Sequence, residues 1–555
     1  MQVALVSILP STSMSLQSSL PLEPRKYIGY GGSAIPVSSP ILKLHDDLLW
    51  SIFDWNADMT EDKPRAFPYF SHRQALTTTL QSSQVCQRWR RILLYASSLW
   101  GKLLDLDTLS LGNDEWRDEI LRRTGISLLS VRSSLQPLRE SEHCREFFYS
   151  LFEKNWDRIR MLHISQVTGY DRYTSIDEAR WSRILSFPAK KLESFRFLVD
   201  LHEFMSESPR ILRLNPAGLF NNDAPMLTEF ETSNTCCSTS FFPHLRIFSA
   251  DFISVTSDFD VGQFLDALRH MNLLESLSLT HFSASPNKQR NYSTPVLLPR
   301  LMNIHLEGPL DCAILLDNVQ PAVGCIFKLV ITDGSHKETE LMRTAYRVVS
   351  WYVQNYCATY SSPSLRVILS KSVTIIAIPD SNCKSSRFTI PLPKSDAGVY
   401  EYLLLQNSFP LSTFPPITHL QLDMPYKYDV PCFKSLLSSF LSVEKLECPE
   451  HTIEKLNRIS ASEHFFPQLK ILKLTTLSYY NYERTLLARS KEPLDESELP
   501  PFLKFLSKQW ENGRPIEILD INHDDYFKFQ NPRIQRFLDN LSQELKVTCS
   551  RRIYS

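Results

Sequence analysis

Leu274-x-x-Leu277-x-Leu279, followed by Leu301-x-x-Ile304-x-Leu306, is the stretch that decides the fold. The same spacing of apolar residues occurs earlier as Ile159-x-x-Leu162-x-Ile164, Leu192-x-x-Phe195-x-Phe197, Leu227-x-x-Phe230 and Leu245-x-x-Phe248. It continues as Ile326-x-x-Leu329-x-Ile331, Leu365-x-x-Ile368, Ile417-x-x-Leu420-x-Leu422, Val443-x-x-Leu446, Leu469-x-x-Leu472-x-Leu474 and Ile516-x-x-Leu519-x-Ile521. A proline often stands one or two residues ahead, as at Pro225, Pro243, Pro299 and Pro415. The motifs opening at Leu245, Leu274, Leu301 and Ile326, and again those at Ile417, Val443 and Leu469, recur with a nearly even period, the mark of a repeat array. Amphipathic stretches lead into several motifs: Phe264 to Met271, Tyr346 to Tyr356, Phe433 to Leu441 and Phe502 to Trp510. The unit is therefore helix, turn and short strand. Neither part buries its apolar face alone, so stacked units close one another off. Right-handed crossovers place the strands in a parallel ladder with the helices outside.

The gap between Leu365 and Ile417 holds different material. Val373 to Ile378 and Arg387 to Ile390 are expected to be added strands, and Val399 to Leu405 a helix, forming an insertion near 370–410.

The N-terminal part is organised differently. Residues 1–40, rich in Ser and Pro, are expected to be a disordered leader. Leu44, Leu48, Leu49, Ile52 and Phe53 then fall on one face of a short helix. Residues 54–74, with Pro64 and Pro68, are expected to be a loop. A second helix carries Leu80, Val85, Trp89, Ile92 and Leu93, with Arg88, Arg90 and Arg91 as a solvated, partly ion-paired face. Leu99-Trp100 and Leu103-Leu104 follow as a third short apolar segment. Three small helices bury only a thin core, so such a module is more secure against a partner.

These residues resemble a family. Leu44-His45-Asp46-Asp47-Leu48-Leu49-Trp50-Ser51-Ile52-Phe53 resembles the opening of an F-box, with His45 where the family usually has proline. Gln84-Val85-Cys86-Gln87-Arg88-Trp89-Arg90-Arg91-Ile92 is similar to its second helix, and Ser97-Ser98-Leu99-Trp100 to its third. Units of about 20–29 residues characterise leucine-rich repeats, and the more regular steps here fall in that range. The chain as a whole is similar to fungal F-box-like proteins with leucine-rich C-terminal regions. The expected α/β architecture is a small three-helix F-box at 41–110, then an irregular leucine-rich-repeat solenoid, a horseshoe with parallel strands and outer helices, over 111–555. The resemblance implies docking onto a Skp1-like adaptor, and through it a cullin, in an SCF-type ubiquitin ligase, while the array holds an unknown target protein. The implied adaptor contacts are Leu44, Leu48, Leu49, Ile52, Phe53, Val85, Cys86, Trp89, Ile92, Leu99 and Trp100. The alternative is a scaffold protein whose F-box is purely structural. His45, which leaves the helix start less pre-organised than proline would, and the long loop after it both point that way.

Other classes have little support. Lys plus Arg number 60 against 61 Asp plus Glu, so no global field draws the chain to nucleic acid or an anionic membrane. The short apolar run Val3 to Leu9 lacks the basic residues of a secretory signal, and no stretch reaches the ~18 apolar residues of a membrane helix. A cytoplasmic or nuclear place follows, where the Asn291-Tyr292-Ser293 sequon is without meaning and cysteines are buried thiols. The only close cysteine pair is Cys236-Cys237, the wrong spacing for zinc. No cofactor is expected. Glycine-rich phosphate loops and Gly-x-Ser-x-Gly elbows are missing, and Gly29 to Gly32 lies in the polar leader. His202-Glu203 lacks a second histidine at 206, and His523-Asp524-Asp525 is a charged turn. The chain is therefore expected not to be an enzyme.

Overall fold

The computed structural model describes residues 40–59, 74–133, 142–167, 178–200, 216–233, 243–251, 261–281, 295–308, 312–331, 364–369, 372–378, 386–391, 417–424, 437–438, 440–459, 465–475, 500–522 and 546–550, with isolated positions between 344 and 359. The leader, most of the loop at 54–74 and the helix expected at Val399 to Leu405 lie outside the described residues. The fold is mixed α/β with extensive parallel strand pairing. The chain divides into two compact units, Met1–His202 and Glu203–Ser555.

The first unit opens with α1 (Asp46–Asn56), α2 (Gln74–Val85), α3 (Gln87–Tyr95) and α4 (Ser97–Gly101). His45 caps α1: its φ of −62° is the value proline would impose, and its ring nitrogen accepts from the Asp47 amide at 3.4 Å. Asp46 and Asp47 in the first turn complement the helix dipole. Leu49 and Phe53, one turn apart, are buried, which contributes roughly 1.5–3 kcal/mol each. The second helix expected over Leu80 to Leu93 is in fact two. Cys86 leaves the helical region (φ −156°, ψ 165°) and its sulfur accepts from the Trp89 amide at 3.5 Å, starting α3 afresh. A hydroxyl caps better than a thiol. Cys86→Ser is expected to raise stability by about 0.5–1 kcal/mol, and an unchanged or lowered unfolding midpoint would count against the thiol cap.

After α4 the chain does not continue as a helix but forms β1 (Leu104–Asp105), α5 (Leu106–Ser110) and α6 (Asp114–Arg123). Gly101 is required where it stands, because a Cβ there would sit 2.3 Å from the Leu128 carbonyl oxygen. Then come β2 (Leu129–Ser133), α7 (Glu142–Asn155), β3 (Ile159–Val167), α8 (Glu178–Leu185) and β4 (Ser194–Asp200). β1 to β4 pair in parallel, with Leu104, Val131, Leu162 and Phe195 in one inward row. α7 and α8 cover that row: the Trp181 ring lies 5.3 Å from both Phe152 and Phe197.

The second unit repeats this logic with β5 (Glu229–Ser233), β6 (Ile247–Asp251), α9 (Val261–Leu268), β7 (Ser276–Thr280), β8 (Val296–Leu298), β9 (Asn303–Gly308), α10 (Cys312–Asp317), β10 (Val319–Pro321) and β11 (Ile326–Ile331). Phe230, Phe248, Leu277 and Ile304 occupy one register row, as their spacing predicts. The next member is Phe327, not the Ile326 or Leu329 of the expected motif. Phe327 and Leu329 are the buried pair, so the true frame lies two residues earlier, and the step from Ile304 to Phe327 is shorter than that from Leu277 to Ile304. Ile326, Leu329 and Ile331 imitate the motif because strand β11 is apolar on both faces.

The insertion is built from β12 (Ser364–Leu369), β13 (Ser372–Ile378) and β14 (Ser386–Pro391), so both expected added strands are present. β14 pairs with β11 in parallel, β13 is antiparallel to both β14 and β12, and β12 continues in parallel to β15 (His419–Asp423). Leu365 stands opposite Leu420 and Ile368 opposite Asp423, so the expected frame at Leu365-x-x-Ile368 is three residues off. Beyond it lie β16 (Lys445–Cys448), α11 (Glu450–Ile459), β17 (Ile471–Leu474), α12 (Pro501–Glu511), β18 (Ile518–Asn522) and β19 (Lys546–Ser550). Leu420, Leu446, Leu472 and Leu519 form their row, and Val547 completes it.

Candidate functional site

The residues expected to meet a partner separate into an exposed and a buried set. Leu48 is 55% exposed, Ile52 43% and Val85 62%. Leu49, Phe53, Leu99 and Trp100 are buried inside the first unit, where they belong to the core rather than facing outward. Leu44, Cys86, Trp89 and Ile92 are half-buried. Trp89 lies edge-on to Phe53 at 5.0 Å, so it supports α1 from beneath. Cys86 is spent on capping α3.

The geometry of α1 explains this division. Leu49 and Phe53 make one stripe, and Leu48 and Ile52 another about 100° around the helix. Only the first stripe is covered. Trp55, 79% exposed, extends the second at position i+7 from Leu48. The sequence reading missed Trp55, although its spacing from Leu48 was the available signal. Ile41, Trp50 and Tyr95 are also exposed and were not expected there. A helix apolar over so wide an arc is ordinarily covered on both stripes.

Ion pairs hold this helix at both ends. Arg88 Nε donates to Asp46 Oδ1 at 2.7 Å, and its guanidinium also reaches the Leu44 carbonyl. Lys102 Nζ bonds Asp54 Oδ1 at 2.6 Å. Arg88 therefore fixes the orientation of α1 and is not merely part of a solvated face.

A second group lies on the strands. Asp105, Arg132, His163 and Arg196 share one register row across β1 to β4, on the face opposite the Leu104–Phe195 row. Asp105 caps α5, accepting from the Asp107 amide at 3.2 Å and from Thr108 Oγ1 at 2.7 Å. Burial, helped by Asp107, raises its carboxyl from 3.8 to about 6. Burial, then Arg196 and Arg132, lowers His163 from 6.5 to about 4, and its Nε2 lies 2.7 Å from Ser194 Oγ.

The two groups tilt stability in opposite directions. Folded Asp105 binds its proton more tightly than the unfolded chain does, so its contribution falls as pH rises from about 4 to about 6. Folded His163 binds its proton less tightly, so its contribution is present above about 6.5 and is lost as pH falls toward 4. Asp105→Asn keeps the acceptor for the Asp107 amide and removes a buried charge. It is expected to stabilise the chain by about 1–2 kcal/mol at pH 7.5 and by nothing at pH 4. Urea midpoints of parent and variant across that range check this, and a pH-independent difference would refute it.

No family model matches the chain, and no curated protein matches it. Among the described residues, no cluster of three or more His, Cys, Asp or Glu could hold a metal ion, and no helix is long and apolar enough to cross a membrane. Cys144, Cys312, Cys325 and Cys448 are buried free thiols, with burial pushing Cys325 up to about 12. Cys236-Cys237, His202-Glu203, Gly29 to Gly32 and His523 to Asp525 lie outside the described residues.

Proposed function

We propose that this chain is the substrate-receptor subunit of an SCF-type ubiquitin ligase, with an F-box around α1 to α4 and a leucine-rich-repeat array that binds a target protein. The observation that carries the reading is the second apolar stripe of α1. Leu48, Ile52 and Trp55 stand in water on a helix whose other stripe already fills the small core. Apolar and aromatic residues clustered this way are what a protein partner covers. A Skp1-like adaptor is that partner, and a cullin follows through it. Ligation chemistry would reside in the other subunits, so the chain itself is not an enzyme and needs no cofactor. Parallel strands that bring Phe248, Leu277, Ile304 and Phe327 into one row support the array. Its place would be the cytoplasm, the nucleus or both.

A second reading has its own support. Leu49, Phe53, Leu99 and Trp100, named by the resemblance as contacts, are internal packing. A scaffold protein with a purely structural F-box would also bury them. Native co-purification of the full chain with a Skp1-like adaptor separates the two. A stoichiometric complex is expected, and a folded chain that leaves the adaptor unbound selects the scaffold.

A further inference from the structure

The face of β15 to β18 turned away from the core lies wholly within the second unit and carries two register rows. His419, Lys445, Ile471 and Ile518 form the first, and Gln421, Glu447, Lys473 and Asp520 the second. All of them are half-buried, so a charge among them loses part of its hydration. Glu447 is well supplied with partners. Lys473 Nζ lies 3.4 Å and His419 Nε2 3.7 Å from its Oε2, and Gln421 Nε2 donates to its Oε1 at 3.4 Å. Lys473 is drawn to Glu447 in this way, which leaves the two ends of the face unmatched. Among the described residues neither Lys445 nor Asp520 has a side-chain partner, and Asp520 Oδ1 is buried without a hydrogen bond. A half-buried charge without a partner is a cost that the core does not require. The two do not neutralise each other, because they stand two strands and two residues apart. That diagonal is about 12 Å at ~4.8 Å per strand and ~3.4 Å per residue.

We infer that this face binds an extended segment of a partner protein that carries an acidic, an apolar and a basic residue at alternate positions, the acid on Lys445 and the base on Asp520. The inference rests on the receptor reading, since it names the chemistry of the target. Charge complementarity selects the occupant. Lys445 and Lys473 balance Glu447 and Asp520, so the face favours neither a polyanion nor a polycation but a ligand with both signs held apart. In an extended chain the side chains at i, i+2 and i+4 point to one side, and i to i+4 spans about 14 Å at ~3.4 Å per residue. That matches the Lys445–Asp520 diagonal within the reach of long side chains. The i+2 side chain then falls over β17, between Ile471 and the alkyl stem of Lys473, where an apolar group is suited. A single helical turn does not fit, since positions i and i+4 of a helix are only about 6 Å apart.

The test uses the full chain and two fluorescein-labelled peptides, Gly-Ser-Glu-Thr-Leu-Thr-Arg-Ser-Gly and the same residues in reverse order, since a segment can cross the face either way. Saturable binding, read by anisotropy, is expected with at least one of them; with neither, the proposal fails. Lys445→Glu is expected to weaken that peptide at least about tenfold, and a peptide with Arg in place of Glu to recover most of the loss on this variant. A purely structural lysine gives no such recovery, so its absence overturns the proposal. Shifting the peptide's Arg by one position, which turns it away from the face, is expected to weaken binding to a similar degree. Unchanged binding of the shifted peptide overturns the proposal, as does an equal loss in Lys190→Glu, on an exposed turn of the first unit, because either shows a diffuse charge effect. Should Lys445→Glu lower the midpoint of the second unit's transition, Asp520→Asn decides: it keeps the shape and removes the charge, and parent-like binding by it overturns the proposal. Adaptor co-purification is read in parallel. A chain that binds the peptide but ignores the adaptor refutes the receptor reading alone, and one that holds the adaptor but not the peptide refutes this inference alone.

Discussion

Leu48→Asp combined with Ile52→Asp is expected to abolish co-purification with a Skp1-like adaptor while leaving the unfolding midpoint of the chain unchanged. Both side chains stand about half in water, so a carboxylate there loses little hydration and displaces no packing. Surface substitutions of this kind ordinarily change stability by less than about 0.5 kcal/mol. At a desolvated interface the same carboxylates would be buried without partners. Each central anchor contributes about 2 kcal/mol or more, so the pair together should weaken binding by at least about a hundredfold. Trp55→Ala, on the same stripe, should weaken it in the same direction. An adaptor complex that survives Leu48→Asp with Ile52→Asp would place the docking face elsewhere. A variant that unfolds would mean that the stripe is covered within the chain.

Trp100→Ala is expected to be the most destabilising single substitution in the first unit, by about 3–5 kcal/mol. Trp100 is fully buried, and its Nε1 donates to the Leu93 carbonyl at 2.8 Å, tying α4 to α3. The Arg123 guanidinium stacks over its ring at 4.7 Å. Arg123 also bonds Glu119 at 2.9 Å, and Arg122 and Arg123 together draw the Glu119 carboxyl down to about 2. Removing the indole thus opens a cavity, takes one hydrogen bond from the Leu93 carbonyl, which keeps that of the Ala96 amide at 3.2 Å, and loosens a cation from its ring. Because the chain holds two compact units, the midpoint to compare for any of these variants is that of the first unit's own transition. Hydrogen exchange at the amides of α3 and α4 reads the effect locally. Protection there should fall by two orders of magnitude or more, with Trp55→Ala leaving it intact. A loss below about 1 kcal/mol would mean that neighbouring side chains close over the gap.

The strands were legible where two inward residues are apolar and their neighbours polar. Ser276-Leu277-Ser278-Leu279 admits only one orientation against a core. β19 escaped notice because Glu544 stands where the motif wants an apolar residue, whereas Leu128-x-x-Val131 across β2 fits the motif and was passed over. β11 was seen but misframed, because Ile326 to Ile331 is apolar on both faces and only its register with β9 chooses Phe327. The insertion's two extra strands were legible from composition. Their order, with β13 running against its neighbours, was not, since long-range pairing has no local signature.

The candidate site divides in the same way. Helical periodicity by itself marked Leu48, Leu49, Ile52 and Phe53 as an apolar arc, and the spacing of apolar triplets by itself called for parallel strands joined by helices. Which half of the arc meets the core was decided only by tertiary structure. Trp89 packs edge-on against Phe53, Leu49 is buried beside it on the same stripe, and Leu48, Ile52 and Trp55 are left in water. The alignment of Arg132, His163 and Arg196 was likewise invisible along the chain, where some thirty residues and a helix separate each from the next. Periodicity records which side chains share a face of one element. Only the pairing of elements determines which face is covered and which charges become neighbours.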